Sequence, residues 1–383
     1  MKTIYFDNNA TTPVADQVVE TLVNTLQLEL KNPGSQHELG RQSRKQLEIT
    51  RERVGVLLGC NQEGSDDDII VFTSGGTEAN NLALLGICAS FPQRGRLIIS
   101  GIEHPSVTVV AEMLEKDGWD LQVVNTLSNG KIDLDHLTSL LNDEKRLVSV
   151  MLANNETGVI QPVADVVALC KNHGILVHTD AVQAVGKMKM DFQQLGVDAL
   201  SLSAHKIHGP VGVGALLIKN GCPVMPVLHG GFQQNGLRPG SEACPLPAAL
   251  NATLELYLDQ QDANLSLLLD LRSRLERGII ALFPDAIVVG LELPRLPQTT
   301  CVSFPGVDRQ ALMMALDVAG VCCSTGSACA SGSSEPSPVL IAMGLPEGVI
   351  EGAIRFSLSR FNTPAEVDAV IEILSEILPL LSE

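Results

Sequence analysis

The most constraining feature of this chain is an alternation of two textures. Short apolar, β-branched runs recur through its first 220 residues: "IIVFT" (Ile69–Thr73), "RLIIS" (Arg96–Ser100), "LQVVNT" (Leu121–Thr126), "LVSVML" (Leu147–Leu152), "ILVHT" (Ile175–Thr179), "DALSLS" (Asp198–Ser203) and "GALLIK" (Gly214–Lys219). Stretches long enough for helices separate the first six, among them Glu78–Ser90, Val107–Lys116, Leu134–Leu141 and Val163–Asn172. Near-continuous apolar strands alternating with helices predict a mostly parallel α/β sheet covered on both faces. Only about ten residues, including "KIHGPVG", part the sixth and seventh runs; a helical crossover does not fit, so the seventh strand is expected to be antiparallel.

From about Leu246 the pattern changes to two long helices or one broken one, then short strands "AIVVG" and "TTCVSF", a helix over Asp308–Val318, the strand "GAIRFSLS" and an amphipathic helix from about Thr363. The expected organisation is a large α/β domain over 14–255 and a smaller α+β domain built from 1–13 and 256–383. The small domain carries "STGSACASGSSEPS" (Ser324–Ser337), which has almost nothing that packs and yet holds Cys329, a residue type usually buried.

The net charge of −18 disfavours nucleic acid and anionic membranes as partners. The acidic run Asp66-Asp67-Asp68 reads as a solvated loop rather than a metal site. The N-terminus lacks the apolar run of a signal peptide, and no stretch is long and apolar enough to span a membrane. Nine cysteines without C-x-x-C spacing argue for reduced thiols and a cytoplasmic location.

Polar residues gather where the apolar runs end. Lys206, in "SLSAHKIHGPVGVGAL", is either a strand-end lysine reaching water or an amine at the carboxyl edge of a sheet, where α/β ligand sites lie and where desolvation suits a Schiff base. Asp180, in "VHTDAVQAVG", either caps a helix or faces a cationic ring nitrogen, the pairing used by pyridoxal 5'-phosphate (PLP) enzymes; Gln183 is within reach of the same place. "FTSGGTEANNLAL" runs strand, Gly75-Gly76, Thr77, helix. Such a start binds anions through backbone N–H groups, although Thr with Glu is also an ordinary helix start. It is neither a Walker motif nor G-x-G-x-x-G, so nucleotide binding is not indicated.

On the residues alone, His104 in "GIEHPSV" reads as a satisfied loop histidine and the amides of "MLANNETG" as turn chemistry. Arg355 lies inside an apolar strand and needs a partner, a substrate carboxylate being one candidate. Five groups at the ends of successive strands together point to a PLP-type site, without naming its reaction.

"YFDNNATTPV", "NPGSQHELGR", "FTSGGTEANN", "EHPSV", "NNETGVIQP", "HTDAVQAVGK", "SAHKIHGPVGVGAL", "GSACAS" and "AIRFSLSRF" together resemble the cysteine desulfurases, fold type I PLP enzymes related to class V aminotransferases. The short "GSACAS" segment resembles group I, the nitrogen-fixation and iron–sulfur-assembly type. The resemblance implies conversion of L-cysteine to L-alanine. Lys206 would carry PLP and remove the α-proton, Asp180 would pair the ring nitrogen, Gln183 the ring hydroxyl, and His104 would stack on the ring and shuttle protons. Gly76, Thr77, Ser203 and His205 would hold the phosphate, and Asn155 and Arg355 the substrate carboxylate. Cys329 would take the sulfur as a persulfide and pass it to an acceptor such as an iron–sulfur scaffold or a sulfur carrier. A homodimer is implied, with Ser241 reaching the neighbouring subunit's phosphate site, and no metal.

Three departures stand out. Phe232 follows Gly231 where the family often has a third glycine. "RPGS" (Arg238–Ser241) stands for Arg-Ser-Gly-Thr, and its Pro239 stiffens the loop. The chain ends directly after its last helix, so scaffold docking through a longer tail is not expected. Cys322 and Cys323 have no family role and read as buried thiols at a strand end, with a resolving-thiol role as the alternative. Other functional readings are a selenocysteine lyase or related PLP β-lyase, and a catalytically silent scaffold homologue.

Overall fold

The computed structural model describes residues 3–62, 64, 66–141, 145–326 and 335–381. Twelve strands occur among them: β1 (Ile4–Tyr5), β2 (Ile69–Thr73), β3 (Arg96–Ser100), β4 (Asp120–Val124), β5 (Lys145–Ser149), β6 (Leu176–Asp180), β7 (Ala199–Ser203), β8 (Gly214–Ile218), β9 (Ile287–Val288), β10 (Thr299–Ser303), β11 (Val321–Cys322) and β12 (Ala353–Ser357). Strands β2 to β8 form one seven-stranded sheet in the order β2-β8-β7-β6-β5-β3-β4. Strand β8 runs antiparallel to both β2 and β7, and the other pairs are parallel.

The apolar runs are continuous because both faces are buried. Ile70 and Phe72 of β2, Leu200 and Leu202 of β7 and Leu217 of β8 enter one core. The alternate residues Val71, Ala199, Leu216 and Ile218 enter the core on the other face. Helices Gly76–Ser90, Pro105–Lys116 and Val163–Lys171 each follow a strand, so their starts lie at the sheet's carboxyl edge. Because β8 runs the other way, its first residue meets that edge too. A Cβ on Gly214 would stand 2.8 Å from the Gly75 backbone, so the glycine lets the β2 turn sit against the sheet.

A second core joins Ile4 and Phe6 to Leu271, Val302, Phe304, Leu316, Phe356 and Leu374. It backs the sheet β12-β10-β9 and the two-stranded β1-β11 pair. The long helical region is broken, with helices Pro245–Asp259 and Gln261–Leu282 meeting at Gln260. Among the described residues no helix is long and apolar enough to cross a membrane.

Two sequence expectations are corrected here. Asp68 is buried, not solvated: its carboxylate accepts from Asn61 N, Gln193 Nε2 and Asn220 N and so organises the loop. Cys322 and Cys323 are half-buried rather than fully enclosed. Cys323 packs on the second core, and burial pushes its thiol up to about 12.

Candidate active site

One cavity of about 380 Å³ opens at the carboxyl edge of the seven-stranded sheet. It is lined by Gly76, Thr77, His104, Asn155, Asp180, Gln183, Ser203, His205, Lys206 and Arg355, residues drawn from separate strand ends. Cys329 lies outside the described residues. Ser241 lies outside this cavity, exposed on the loop after Arg238, whose guanidinium pairs with Glu78 at 2.8 Å.

The anion end of the cavity is built from backbone. Helix Gly76–Ser90 begins there, with Thr77 in its first turn. A Cβ on Gly76 would stand 2.6 Å from Val182 Cγ2, so only a glycine keeps this start close to the β6 edge. Opposite, Ser203 Oγ is buried and has no hydrogen-bond partner among the described residues. An orphaned buried hydroxyl beside a helix start is what a phosphate-holding cradle requires. Burial, reinforced by Lys206 and Lys187, lowers His205 to about 4, so at neutral pH it offers a neutral imidazole.

Asp180, at the end of β6, is buried and accepts from Asn80 Nδ2 at 2.7 Å and Val182 N at 2.9 Å. The same Asn80 Nδ2 donates to Ser106 Oγ at 2.8 Å, which in turn lies 2.8 Å from His104 Nδ1. His104 is the N-cap of helix Pro105–Lys116, its Nδ1 also accepting from Ser106 N. Two donors aimed at Nδ1 put the proton of the neutral ring on Nε2. The residue that reads alone as a bland loop histidine is both a cap and a cavity wall.

Lys206 Nζ donates to Asn9 O at 2.7 Å and Ala10 O at 2.8 Å. Gln183 Nε2 donates to the same Asn9 carbonyl at 3.0 Å. Arg355 is almost fully buried; its Nη2 pairs with Asp7 Oδ1 at 2.7 Å and its Nη1 donates to Gly326 O at 2.9 Å. Its first partner is therefore a carboxylate of the chain itself. Asn155 lines the cavity, while its neighbour Asn154 does turn chemistry, its Oδ1 accepting from Glu156 N and Thr157 N.

Several site residues escape a reading by residue type. Glu103 is buried; desolvation, with Asp180 adding, pushes its carboxyl up to about 8, so it is protonated at neutral pH. Burial likewise raises Glu156, which accepts from the Ser337 hydroxyl. Lys187 is 2% exposed, with its Nζ 3.2 Å from Gln183 Oε1. All three stand inside the motifs "EHPSV", "NNETG" and "AVGK", and their place in those motifs was the only signal.

The donor set suits PLP. A helix start and a buried hydroxyl with no partner among the described residues fit a phosphate, a doubly hydrogen-bonded carboxylate ends β6, and a lysine follows the neighbouring strand β7. Among the described residues no group of His, Cys, Asp and Glu is arranged to hold a metal ion.

Comparison with known proteins agrees. The family model for class-V aminotransferases matches residues 4–370. The cysteine desulfurase of Nostoc sp. is 41% identical over 381 residues, covering 100% of this chain and 94% of that protein. The cysteine desulfurase NifS of Azotobacter vinelandii is 38% identical over 383 residues, with 100% of this chain and 94% of that protein covered. Among solved structures, a NifS-like protein superposes with a TM-score of 0.91 at 37% identity, covering 99% of this chain and 100% of that one. SspA in complex with cysteine superposes with a TM-score of 0.82 at 30% identity, covering 94% and 100%. Matched at these identities over nearly its whole length, the chain belongs to the class-V aminotransferases and, within them, to the PLP-dependent cysteine desulfurases.

Proposed function

We propose that this cysteine desulfurase works through Lys206 and Cys329, the first at the cofactor and the second as the sulfur acceptor. The observation that carries the reading is the convergence of the phosphate cradle, Asp180, His104, Lys206 and Arg355 on one cavity. Gly76, Thr77, Ser203 and His205 would hold the PLP phosphate, Asp180 the ring nitrogen and Gln183 the ring hydroxyl. Bound there, PLP supplies an electron sink for chemistry at the substrate's α-carbon and sulfur.

The chain's own groups do the rest. Arg355 and Asn155 bind the carboxylate of L-cysteine. For Arg355 this means exchanging or sharing the bonds it makes to Asp7 and Gly326. Lys206 Nζ takes the α-proton, and His104 holds a proton at Nε2 for the leaving side. The Cys329 thiolate attacks the substrate sulfur and the substrate C–S bond breaks, its electron pair passing to the β-carbon; protons return to the β- and α-carbons, and the new S–S bond leaves a persulfide on Cys329 and L-alanine in solution. The similar solved structure of SspA, which is in complex with cysteine, supports that substrate class.

Two copies are proposed to complete two sites. Ser241 is exposed and lies away from its own cavity, and Phe232, nine residues earlier, is 96% exposed. The division into 14–255 and 1–13 with 256–383 is supported by the separate apolar cores and by the helix break at Gln260. The final acceptor is proposed to be an iron–sulfur scaffold or sulfur carrier, in the cytoplasm.

The test is mass spectrometry of Cys329 after L-cysteine, with alanine measured in parallel. Added sulfur on Cys329, lost in Cys329→Ala together with alanine release, is the expected result. Alanine release that survives Cys329→Ala would overturn the persulfide route.

A further inference from the structure

Lys187 is a lysine without an acid. It is buried beside Gln183, and among the described residues it makes no ion pair. Its Nζ donates to Gln183 Oε1, four residues back along the chain. The charged and titratable groups that face it are Lys206 after β7, Arg355 on β12, and His205 and His208 on the turn that follows β7. None of these is an acid. Burial, with Lys206 and Arg355 adding, accordingly lowers Lys187 to about 7. A buried cation with only a neutral partner is costly, so the side chain needs a positive reason to be there.

The reason lies in the symmetry of a carboxamide. Either end of Gln183 could face the cavity, and the two ends have opposite hydrogen-bonding character. Charged, Lys187 can only donate; as the neutral amine that burial favours it still carries two N–H donors, and here its Nζ meets the oxygen. That leaves Nε2 as the end turned toward Asn9 O, the carbonyl that Lys206 also uses. Nε2 has a second hydrogen.

We propose that Lys187 is a positioning residue that locks the Gln183 amide with its N–H donor toward the cofactor's ring hydroxyl, Asn9 O holding the other hydrogen of that donor. This rests on the assignment of Gln183 to the ring hydroxyl given above. A donor at that oxygen favours its anionic form. A flipped amide would set a carbonyl oxygen against it instead. Loss of the lock therefore disfavours deprotonation of the bound cofactor and moves its titration upward.

The test is a pH titration of the visible cofactor band in the PLP-loaded protein. Lys187→Met should move the midpoint up by about half a pH unit or more. Lys187→Gln, which keeps an N–H donor, should move it by less than half as far. In a Gln183→Ala background, Lys187→Met should add no further shift. A midpoint unmoved by Lys187→Met, or moved equally with and without Gln183, overturns the proposal. If Lys187→Met fails to fold, Lys187→Gln measured in both backgrounds carries the same comparison. A wild-type protein with no visible band would overturn the cofactor assignment itself, a failure distinct from an unmoved midpoint. Folding gives an independent check on the burial argument. The wild type loses stability as pH falls from 10.5 toward 7, because the unfolded lysine takes a proton that the folded one refuses. The stability margin of Lys187→Met over wild type should widen across that window.

Discussion

The two walls of the cavity are built on opposite principles. The sheet-edge wall, with Gly76, Thr77, Ser203 and the helix start, is open: among the described residues Ser203 Oγ has no hydrogen-bond partner. The facing wall, from β12 and the Asn154–Thr157 turn, presents groups that already have partners within the chain. Arg355 pairs with Asp7, and Glu156 takes the Ser337 hydroxyl. The first wall is preorganised for a resident group and gains hydrogen bonds when it arrives. The second must exchange bonds it already has, which suits a ligand that comes and goes. A buried pair of this kind is costly to break from one side, while an orphaned hydroxyl costs little to remove.

Mutations should separate the walls. Lys206→Ala is the largest expected effect: alanine production should fall about 10³-fold or more, and borohydride should no longer fix cofactor to the chain. Retention of fixed cofactor would remove Lys206 from its role. On the β12 wall, Arg355→Ala should destabilise the unloaded protein by about 3 kcal/mol in urea melts, because Asp7 loses its partner in a mostly buried setting. An unchanged melt would mean that the two walls do not differ as described. On the sheet-edge wall, Ser203→Ala should leave the unloaded protein unchanged or slightly more stable. It should weaken PLP binding about tenfold, the effect of one hydrogen bond to a charged group. Equal losses with and without PLP would break the contrast.

The smallest expected effect is in pH dependence. Glu103 has its pKa raised from 4.5 to about 8, so its contribution is present at acid pH and is lost as pH rises through 8. Glu103→Gln should flatten the fall in stability between pH 4.5 and 8. His178, lowered by burial to about 3, acts in the other direction, its contribution disappearing as pH falls below 6.5. Guanidinium midpoints from pH 5 to 9 would resolve the two limbs.

The sheet was legible because its cause is local. Each strand from β2 to β8 begins and ends within about two or three residues of its apolar run, and the short "KIHGPVG" link disclosed the reversed β8. The residues at strand ends were legible for the same reason, since a strand end fixes where a side chain emerges. Partnerships across the chain were not. Arg355 meets Asp7 from 348 residues away, and no spacing rule reports that. Asp68 sits in an acidic run that composition makes look wet, yet three donors from separate segments draw it inside. Asn154 and Asn155 are adjacent and chemically identical, and only the turn decides that the first serves the backbone and the second the cavity.

Glu156 has a mechanical side as well. Ser337 donates its hydroxyl to this carboxyl group, and a Cβ on Gly326 would stand 2.6 Å from its Oε2. Gly326 is further tied to Arg355 through its carbonyl. Both ends of the stretch that contains Cys329 are thus moored at one post on the rim of the cavity. Cys329 follows Gly326 by three residues, and three residues of chain span at most about 11 Å. For the persulfide route proposed above, that length limits how far Cys329 can carry sulfur while the mooring holds.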